Sequence, residues 1–432
     1  MNRLYTLILL LILNSCSLDT KSGIWTQEKE IKEKKTNIIK FFEKEKSFKK
    51  EFNSNLEIKL DSQNIENQNL LSLSNNSGIL NFQNDINRSS KFKFSKIKDF
   101  NYFEPEIVFD GKNFIFFDDK SNLIKFDNNF KVVWKNNFYN KEEKKFKPIL
   151  TLTIHKNILV VVDNIGKIYA VDTEKGELIW SKLNNNPFNS QIKIYDDNVY
   201  AIDLNNILIC YSLKNGKQIW KFSTENTFLK SNKRNSLVLK DNVIYFNNSL
   251  GDITAVNAKN GSLIWQKPTQ SSSVYENLFN LMMSDLVIYD DSIIFSNNKN
   301  QFYSFSQKNG LLNWRQDINS SIRSVILKDY VIAFSNEGYF FVIDNDSGNI
   351  LRVTDTFNVF DSKKRKKIKP VGFILNKEKI FLTTNNGRLL IINFLDGKTE
   401  KILKIDNQKI SRPFVFDTSI VLLKDDSVIR LN

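Results

Sequence analysis

Few residues of this chain are of a type and spacing that could perform chemistry. The 432 residues include one histidine, His155, and two cysteines, Cys16 and Cys210. A single imidazole excludes metal sites built from several histidines and leaves one candidate for a His-based catalytic dyad. His155 lies at the predicted turn before the apolar run 157–162, so we interpret it as a surface turn residue. The sequence therefore predicts no catalytic residues, no metal site and no cofactor.

The N-terminal segment predicts export and lipidation. Arg3 precedes an apolar stretch, residues 4–13, that is too short to span a bilayer as a helix. The sequence LNSC at residues 13–16 resembles a bacterial lipobox, in which Cys16 is lipidated and becomes the mature N-terminus. An ordinary signal peptide is the alternative. Ser17 replaces the Asp that would favour inner-membrane retention, so we expect a lipid-anchored protein on the periplasmic side of the outer membrane.

Cys210 is left without a partner for an internal disulfide once Cys16 is acylated. It stands where other repeats carry small or apolar residues, so we predict a buried structural thiol.

Charged segments separate this N-terminus from the rest of the chain. Residues 17–90 are predicted to form a tether, partly helical or disordered, that contains a Lys/Glu-rich run at 28–51.

The net charge of the chain is +14, and a strongly basic run, KKRKK, occupies residues 363–367. This run is either a solvated loop or a contact with anionic lipid or an acidic partner. Export makes nucleic acid a poor partner.

Residues 91–432 are repetitive. Each repeat consists of apolar strands and a segment of the form Asp/Asn-x-x-x-Gly-x-x-x-Trp, and it recurs at roughly 40–50 residue intervals. The Gly suits a tight hairpin with positive φ, and the Trp is placed on an outer strand where it can pack between repeats. The repeat residues are Trp134, Trp180, Trp220, Trp265, Trp314, Gly176, Gly216, Gly261, Gly310, Gly348 and Gly397.

This period fits four short antiparallel strands, the size of one β-propeller blade. The sequence predicts an all-β, eight-bladed propeller. Two degenerate repeats have Arg352 and Lys401 at the Trp position, and seven blades is the alternative if these two merge. The last repeat lacks its fourth strand, and a free edge there would promote aggregation. Residues 91–97 are predicted to supply that strand and close the ring. Asp172 and Asp344 recur at one repeat position, which indicates an architectural role rather than a catalytic one.

The repeats resemble the PQQ-type propeller repeat, and with the lipobox and the eight repeats they resemble the BamB family of outer-membrane assembly lipoproteins. The resemblance implies a non-enzymatic scaffold that binds the periplasmic domains of the barrel insertase (BamA-like). Binding of unfolded outer-membrane protein strands is left open. The alternatives are a propeller serving another envelope complex and, least favoured, a quinoprotein dehydrogenase. A quinoprotein site uses Glu, Asn and Asp to hold Ca²⁺, often beside paired cysteines that this chain lacks.

The resemblance also implies a partner-binding surface. In the family, the insertase-binding loops resemble the segments that follow Trp220 and Trp265 here. The family's first loop carries Leu and Arg; Leu229 fits, but Asn232 stands at the Arg position. The acidic residues of the second loop are replaced by Asn280 and Met282. We expect an exposed apolar and basic patch formed by Leu229, Lys233, Arg234, Tyr275, Leu278, Phe279 and Met282. The alternative is that the apolar side chains fold inward and begin the first strand of the next blade.

Overall fold

The computed structural model describes residues 58, 64–65, 73–80, 86, 89–226, 233–270 and 281–432, which form eight antiparallel blades arranged as a β-propeller. The eight-bladed prediction is confirmed, and the seven-bladed alternative is wrong because the two degenerate repeats form separate sheets. The strands of the first four blades are, in order, Val108–Asp110, Asn113–Phe117, Leu123–Phe126, Val132–Asn136; Leu150–His155, Ile158–Asp163, Lys167–Asp172, Leu178–Leu183; Lys193–Tyr195, Asn198–Ile202, Ile207–Ser212, Gln218–Ser223; and Leu237–Lys240, Val243–Asn247, Ile253–Asn257, Leu263–Lys267.

The other four blades have the same strand order. Their strands are Val287–Tyr289, Ser292–Asn297, Gln301–Ser306, Leu312–Gln316; Val325–Leu327, Tyr330–Phe334, Tyr339–Asp344, Ile350–Asp355; Pro370–Leu375, Lys379–Thr384, Arg388–Asn393, Thr399–Lys404; and Phe414–Phe416, Ser419–Lys424, Ser427–Leu431 with Ser89–Lys93. The described helices are short: a 3-10 turn at Phe100–Tyr102 and α-helical turns at Lys141–Lys145 and Ser362–Arg365. None of the helices in the described part of the chain is long and apolar enough to cross a membrane.

The ring is closed by an N-terminal strand. Ser89–Lys93 pairs antiparallel with Ser427–Leu431, the third strand of blade 8, with Phe92 opposite Val428. Two backbone hydrogen bonds continue this contact, from Phe94 to Asp426 at 2.9 Å and from Ile97 to Asp425 at 2.7 Å. The closing strand thus begins at Ser89, two residues before the predicted segment, and it occupies the edge that blade 8 would otherwise leave unpaired.

Successive blades are joined by a repeated Trp–Gly contact. The ring of Trp180, on the outer strand of blade 2, packs over Gly216 in blade 3, and its Nε1 donates to the carbonyl oxygen of Leu213 at 2.7 Å. A Cβ on Gly216 would approach the ring more closely than 3.0 Å. The same contact recurs in the pairs Trp134–Gly176, Trp220–Gly261, Trp265–Gly310 and Trp314–Gly348. The repeat therefore needs Gly for positive φ and also to make room for the neighbour's indole.

The contact between blades 8 and 1 explains why the first repeat has Phe130 in place of Gly. Blade 8 supplies no Trp at this position; instead, Phe92 of its closing strand stacks on Phe126 with ring centroids 4.4 Å apart. Phe130 keeps the left-handed turn, with φ of 63°, and its ring packs against Phe114 and Phe126. An aromatic cluster replaces the Trp–Gly pair at this junction.

Candidate binding face and axial channel

The connections between blades emerge from one end of the propeller. In an antiparallel meander, the link from the outer strand of one blade to the inner strand of the next always leaves at the same end, which we call the interblade face. The segments between Ser223 and Leu237 and between Lys267 and Val287 are two of these connections. Because they flank blade 4, they emerge side by side. The helix Ser362–Arg365 lies in a third connection on this face.

Most of the predicted partner-binding residues fall outside the described part of the chain. Leu229 lies in 227–232, and Tyr275, Leu278 and Phe279 lie in 271–280, which the structure does not describe; the same holds for Cys16. Met282 is described, and its side chain is half exposed at 50%.

Lys233 and Arg234 do not belong to an exposed patch. Their side chains are 7% and 11% exposed. Lys233 donates to the carbonyl oxygen of Ser321 and lies 3.2 Å from Glu104, while Arg234 Nη2 donates to Glu106 at 2.7 Å. The expectation of exposure is wrong for both residues, because the chain turns inward before the inner strand of blade 4 and the carboxylates of Glu104 and Glu106 face them there. The base of this loop is fixed by ion pairs, whereas its tip lies beyond the described residues.

These two residues are part of a buried group of charges around the propeller axis. We define the axial cluster as Glu104, Glu106, Lys193, Lys233, Arg234, Asp285, Arg323 and Arg412. Several of its members stand two residues before an inner strand, at equivalent positions of different blades, so the ring brings them together. Polar residues that recur at this repeat position are the sequence signal for the cluster, which the predictions above do not include.

One carboxylate lies at the centre of the cluster. Glu106 Oε1 accepts from Arg234 at 2.7 Å and from Arg412 at 3.2 Å, and Arg323 Nη2 is 3.9 Å away. Burial alone would raise the pKa of Glu106, but the three guanidinium groups hold it well below its ordinary value. Burial would likewise raise the pKa of Asp285, but Arg323, Arg234 and Lys233 lower it, and Asp285 accepts from Arg323 Nε at 2.9 Å. Both carboxylates are therefore charged at neutral pH.

A segment that precedes the propeller fills part of its axial channel. Asn75 Nδ2 lies within hydrogen-bonding distance of Gln191 Oε1 at 3.0 Å and of the carbonyl oxygens of Leu237 and Leu286 at 3.2 and 2.9 Å. Its Oδ1 accepts from Lys193 Nζ at 2.8 Å. The side chain of this one asparagine thus connects the inner strands of blades 3, 4 and 5.

The same segment continues to blades 6 and 7. Asn76 exchanges two hydrogen bonds with the backbone of Ile326, at 2.9 and 3.0 Å. Ile79–Leu80 then adds a parallel strand beside Pro370–Leu375, and Asn64–Ile65 adds another, so blade 7 has six strands. Residues 73–80 belong to the segment predicted to form a tether. They lie inside the ring because their amide side chains satisfy backbone groups that the inner strands leave unpaired.

The remaining candidates for chemistry have structural roles. His155 is the last residue of a strand, next to a turn. Cys210 is completely buried, and burial raises the pKa of its thiol to about 12, as expected for a structural thiol. Asp172 Oδ1 accepts from the backbone nitrogens of Glu174 and Lys175, both at 2.9 Å, and so closes a repeat turn. Among the described residues, no group of His, Cys, Asp and Glu could hold a metal ion.

Comparison with known proteins identifies the family. A family model described as "Outer membrane protein assembly factor BamB" matches residues 119–354, more than half of the chain. The chain belongs to the BamB family. This match confirms the PQQ-type resemblance seen in the repeats. A search of curated proteins finds no match.

Solved structures agree with the BamB family on the fold. The crystal structure of BamB from Moraxella catarrhalis is similar with a TM-score of 0.63 at 15% sequence identity, covering 79% of this chain and 100% of that one. A computationally designed protein, Ika8, is similar with a TM-score of 0.60 at 10% identity, covering 79% of this chain and 99% of its own. At these identities the similarity shows the fold alone; the BamB family rests on the sequence model.

Proposed function

We propose that this protein is a non-enzymatic scaffold lipoprotein of the outer-membrane β-barrel assembly machinery, which binds the periplasmic domains of a BamA-like insertase. The match of the BamB family model to residues 119–354 carries the proposal. The fold supports it, because a rigid ring of blades presents several connections side by side on one face. We place the protein on the periplasmic side of the outer membrane, anchored through Cys16.

The partner surface that we propose is the part of the interblade face around blade 4. Leu229, Tyr275, Leu278, Phe279 and the exposed Met282 would supply apolar contacts, as expected of a binding hot spot. Lys233 and Arg234 would hold the base of the first loop through their ion pairs rather than contact the partner.

Positive charge on the same face would assist this contact. Lys363, Lys364, Lys366 and Lys367 are exposed, whereas Arg365 pairs with Asp355 at 2.7 Å. These four amino groups would attract an acidic partner surface and mainly accelerate association.

Acidic substitutions on this surface should abolish binding of the insertase. We expect full-length protein with Leu229→Asp, Phe279→Asp and Met282→Asp to lose co-purification with the insertase from envelope extracts, because three buried apolar contacts would become desolvated charges. The melting temperature should change little if all three side chains lie on the proposed partner surface, where Met282 is half exposed. The measurement is a pull-down quantified by mass spectrometry.

The matched control is Leu395→Asp. Leu395 is 55% exposed and lies in the hairpin between the third and fourth strands of blade 7, at the end of the propeller opposite the interblade face. This variant should retain the insertase. Equal recovery of the insertase with the triple variant would place the partner surface elsewhere, and recovery of a different envelope complex by the wild type would refute the proposed function.

The anchor can be tested independently. Cys16→Ala should abolish incorporation of an alkyne-labelled fatty acid, because the acyl chains are attached to this thiol, and it should release the protein from the membrane fraction. Cys210→Ala is the control, since that thiol is completely buried and should not affect labelling. Labelling that persists without Cys16 would contradict the lipobox interpretation.

A further inference from the structure

The axial channel contains a cavity with an unusual charge. Its volume is about 120 Å³, and it lies between the inner strands of blades 1, 2, 3 and 8 and the segment that contains Asn75. Lys193, Arg323 and Arg412 contribute to its wall, and among the described lining residues Glu106 is the only acidic one. A volume of this size holds several water molecules or one small ion.

The excess of positive charge extends to the whole axial cluster. Its described members comprise five basic and three acidic side chains. Lys409 lies near Glu104 and Lys233 and adds a further basic group. The carboxylates of Glu106 and Asp285 already have basic partners: Glu106 faces three guanidinium groups, and Asp285 pairs with Arg323. Among the described residues of the cluster, basic side chains therefore outnumber acidic ones at a largely buried site, where a bound anion would be stabilising.

Burial and the surrounding positive charge lower the pKa values of two groups on the cavity wall. Burial and then the nearby Arg323 lower the pKa of Lys193 to about 7 and the pKa of Arg412 to about 10. The Nε atom of Arg412 is buried and has no hydrogen-bond partner among the described residues. Arg412, with this unused donor, and Lys193 line the same cavity, and both carry the N–H donors that binding of an oxyanion requires.

We propose that the axial cavity binds a small tetrahedral oxyanion such as inorganic phosphate, held by Lys193, Arg323 and Arg412. The bound ion would neutralise the excess charge of the axial cluster and connect blades 3, 6 and 8 across the channel. Asn75 and Gln191, which also line the cavity, bring neutral polar groups to the site.

Isothermal titration of the full-length protein in detergent with inorganic phosphate, at constant ionic strength adjusted with chloride, tests this site. We expect saturable binding of one phosphate per chain. Above its dissociation constant, each tenfold rise in phosphate should raise the melting temperature by about 1.5 °C. Short-chain phosphatidic acid should bind at least tenfold more weakly, because the cavity has no room for glycerol and acyl chains; stronger binding of the lipid would overturn the free-ion site.

The variant Arg412→Gln should weaken phosphate binding at least tenfold, whereas Arg315→Gln, at a half-exposed arginine on the outer strand of blade 5, should bind phosphate as the wild type does. Lys193→Gln is the second variant and should show the same loss if Arg412→Gln does not fold. Absence of saturable binding to the folded wild type would overturn the proposal, as would a folded Arg412→Gln or Lys193→Gln protein that binds phosphate with unchanged affinity.

Discussion

Replacing Gly216 with Ala should lower the free energy of unfolding by about 2–5 kcal/mol. Two costs combine: a left-handed conformation, since φ is +68°, costs a Cβ-bearing residue about 1–2 kcal/mol, and forcing a methyl group into a packed site costs about 1–3 kcal/mol. The methyl group would press on the Trp180 ring, which itself is held by its hydrogen bond to Leu213. Chemical denaturation of the purified protein measures the loss.

The matched control is Gly111→Ala. Gly111 has φ of +56°, but a Cβ there would meet nothing within 4 Å, so only the conformational cost of about 1–2 kcal/mol should remain. The difference between the two variants isolates the contact with the indole. In a double-mutant cycle, Trp180→Ala should remove much of the penalty of Gly216→Ala, because the ring that causes the clash is gone. Strict additivity would show that Gly216 is needed only for its φ.

The blades could be predicted from the sequence because their signal is local and repeated. A Gly and a Trp four residues apart, between apolar strands, mark the third and fourth strands of a blade wherever they occur. The missing fourth strand of the last blade likewise predicted a closing strand near residue 91. For Gly216, however, the sequence predicts only a role in the turn. The indole that it faces belongs to Trp180, 36 positions earlier, so this contact is not visible in the local pattern.

The centre of the propeller could not be predicted from the same pattern. Residues 73–80 have no repeat period, and Asn75 gains its place from contacts with residues more than 100 positions away. Lys233 and Arg234 are of a type that is usually exposed. They can be buried here because Glu104 and Glu106, just before the first strand of blade 1, pair with them. Charge pairing across a ring is a property of the closed fold, so it is visible only when the strands have been placed.

Glu106→Gln should destabilise the protein by about 3–5 kcal/mol, because it removes the charge shared by Arg234, Arg412 and Arg323 and leaves their guanidinium groups buried together. Glu104→Gln is the control. Its carboxylate is 38% exposed and lies 3.2 Å from Lys233, so solvent screening should limit the loss to about 1 kcal/mol or less. Denaturation midpoints at neutral pH distinguish the two; equal losses would mean that Glu106 is not the centre of the cluster.

The pH dependence provides a second measurement of the same carboxylate. The folded-state pKa of Glu106 lies below its unfolded value of about 4.3, so its contribution to stability is complete above that value and is lost as the pH falls toward the folded-state pKa. Wild-type stability should therefore fall below about pH 4.5, and Glu106→Gln should show a shallower fall because it has no proton to take up at this position. The remaining slope in the variant would include Asp285, whose pKa is lowered in the same direction.

A double variant, Glu106→Gln with Arg412→Gln, should recover part of the stability that Glu106→Gln loses at neutral pH. Removing one guanidinium group reduces the excess of positive charge that the loss of the carboxylate creates.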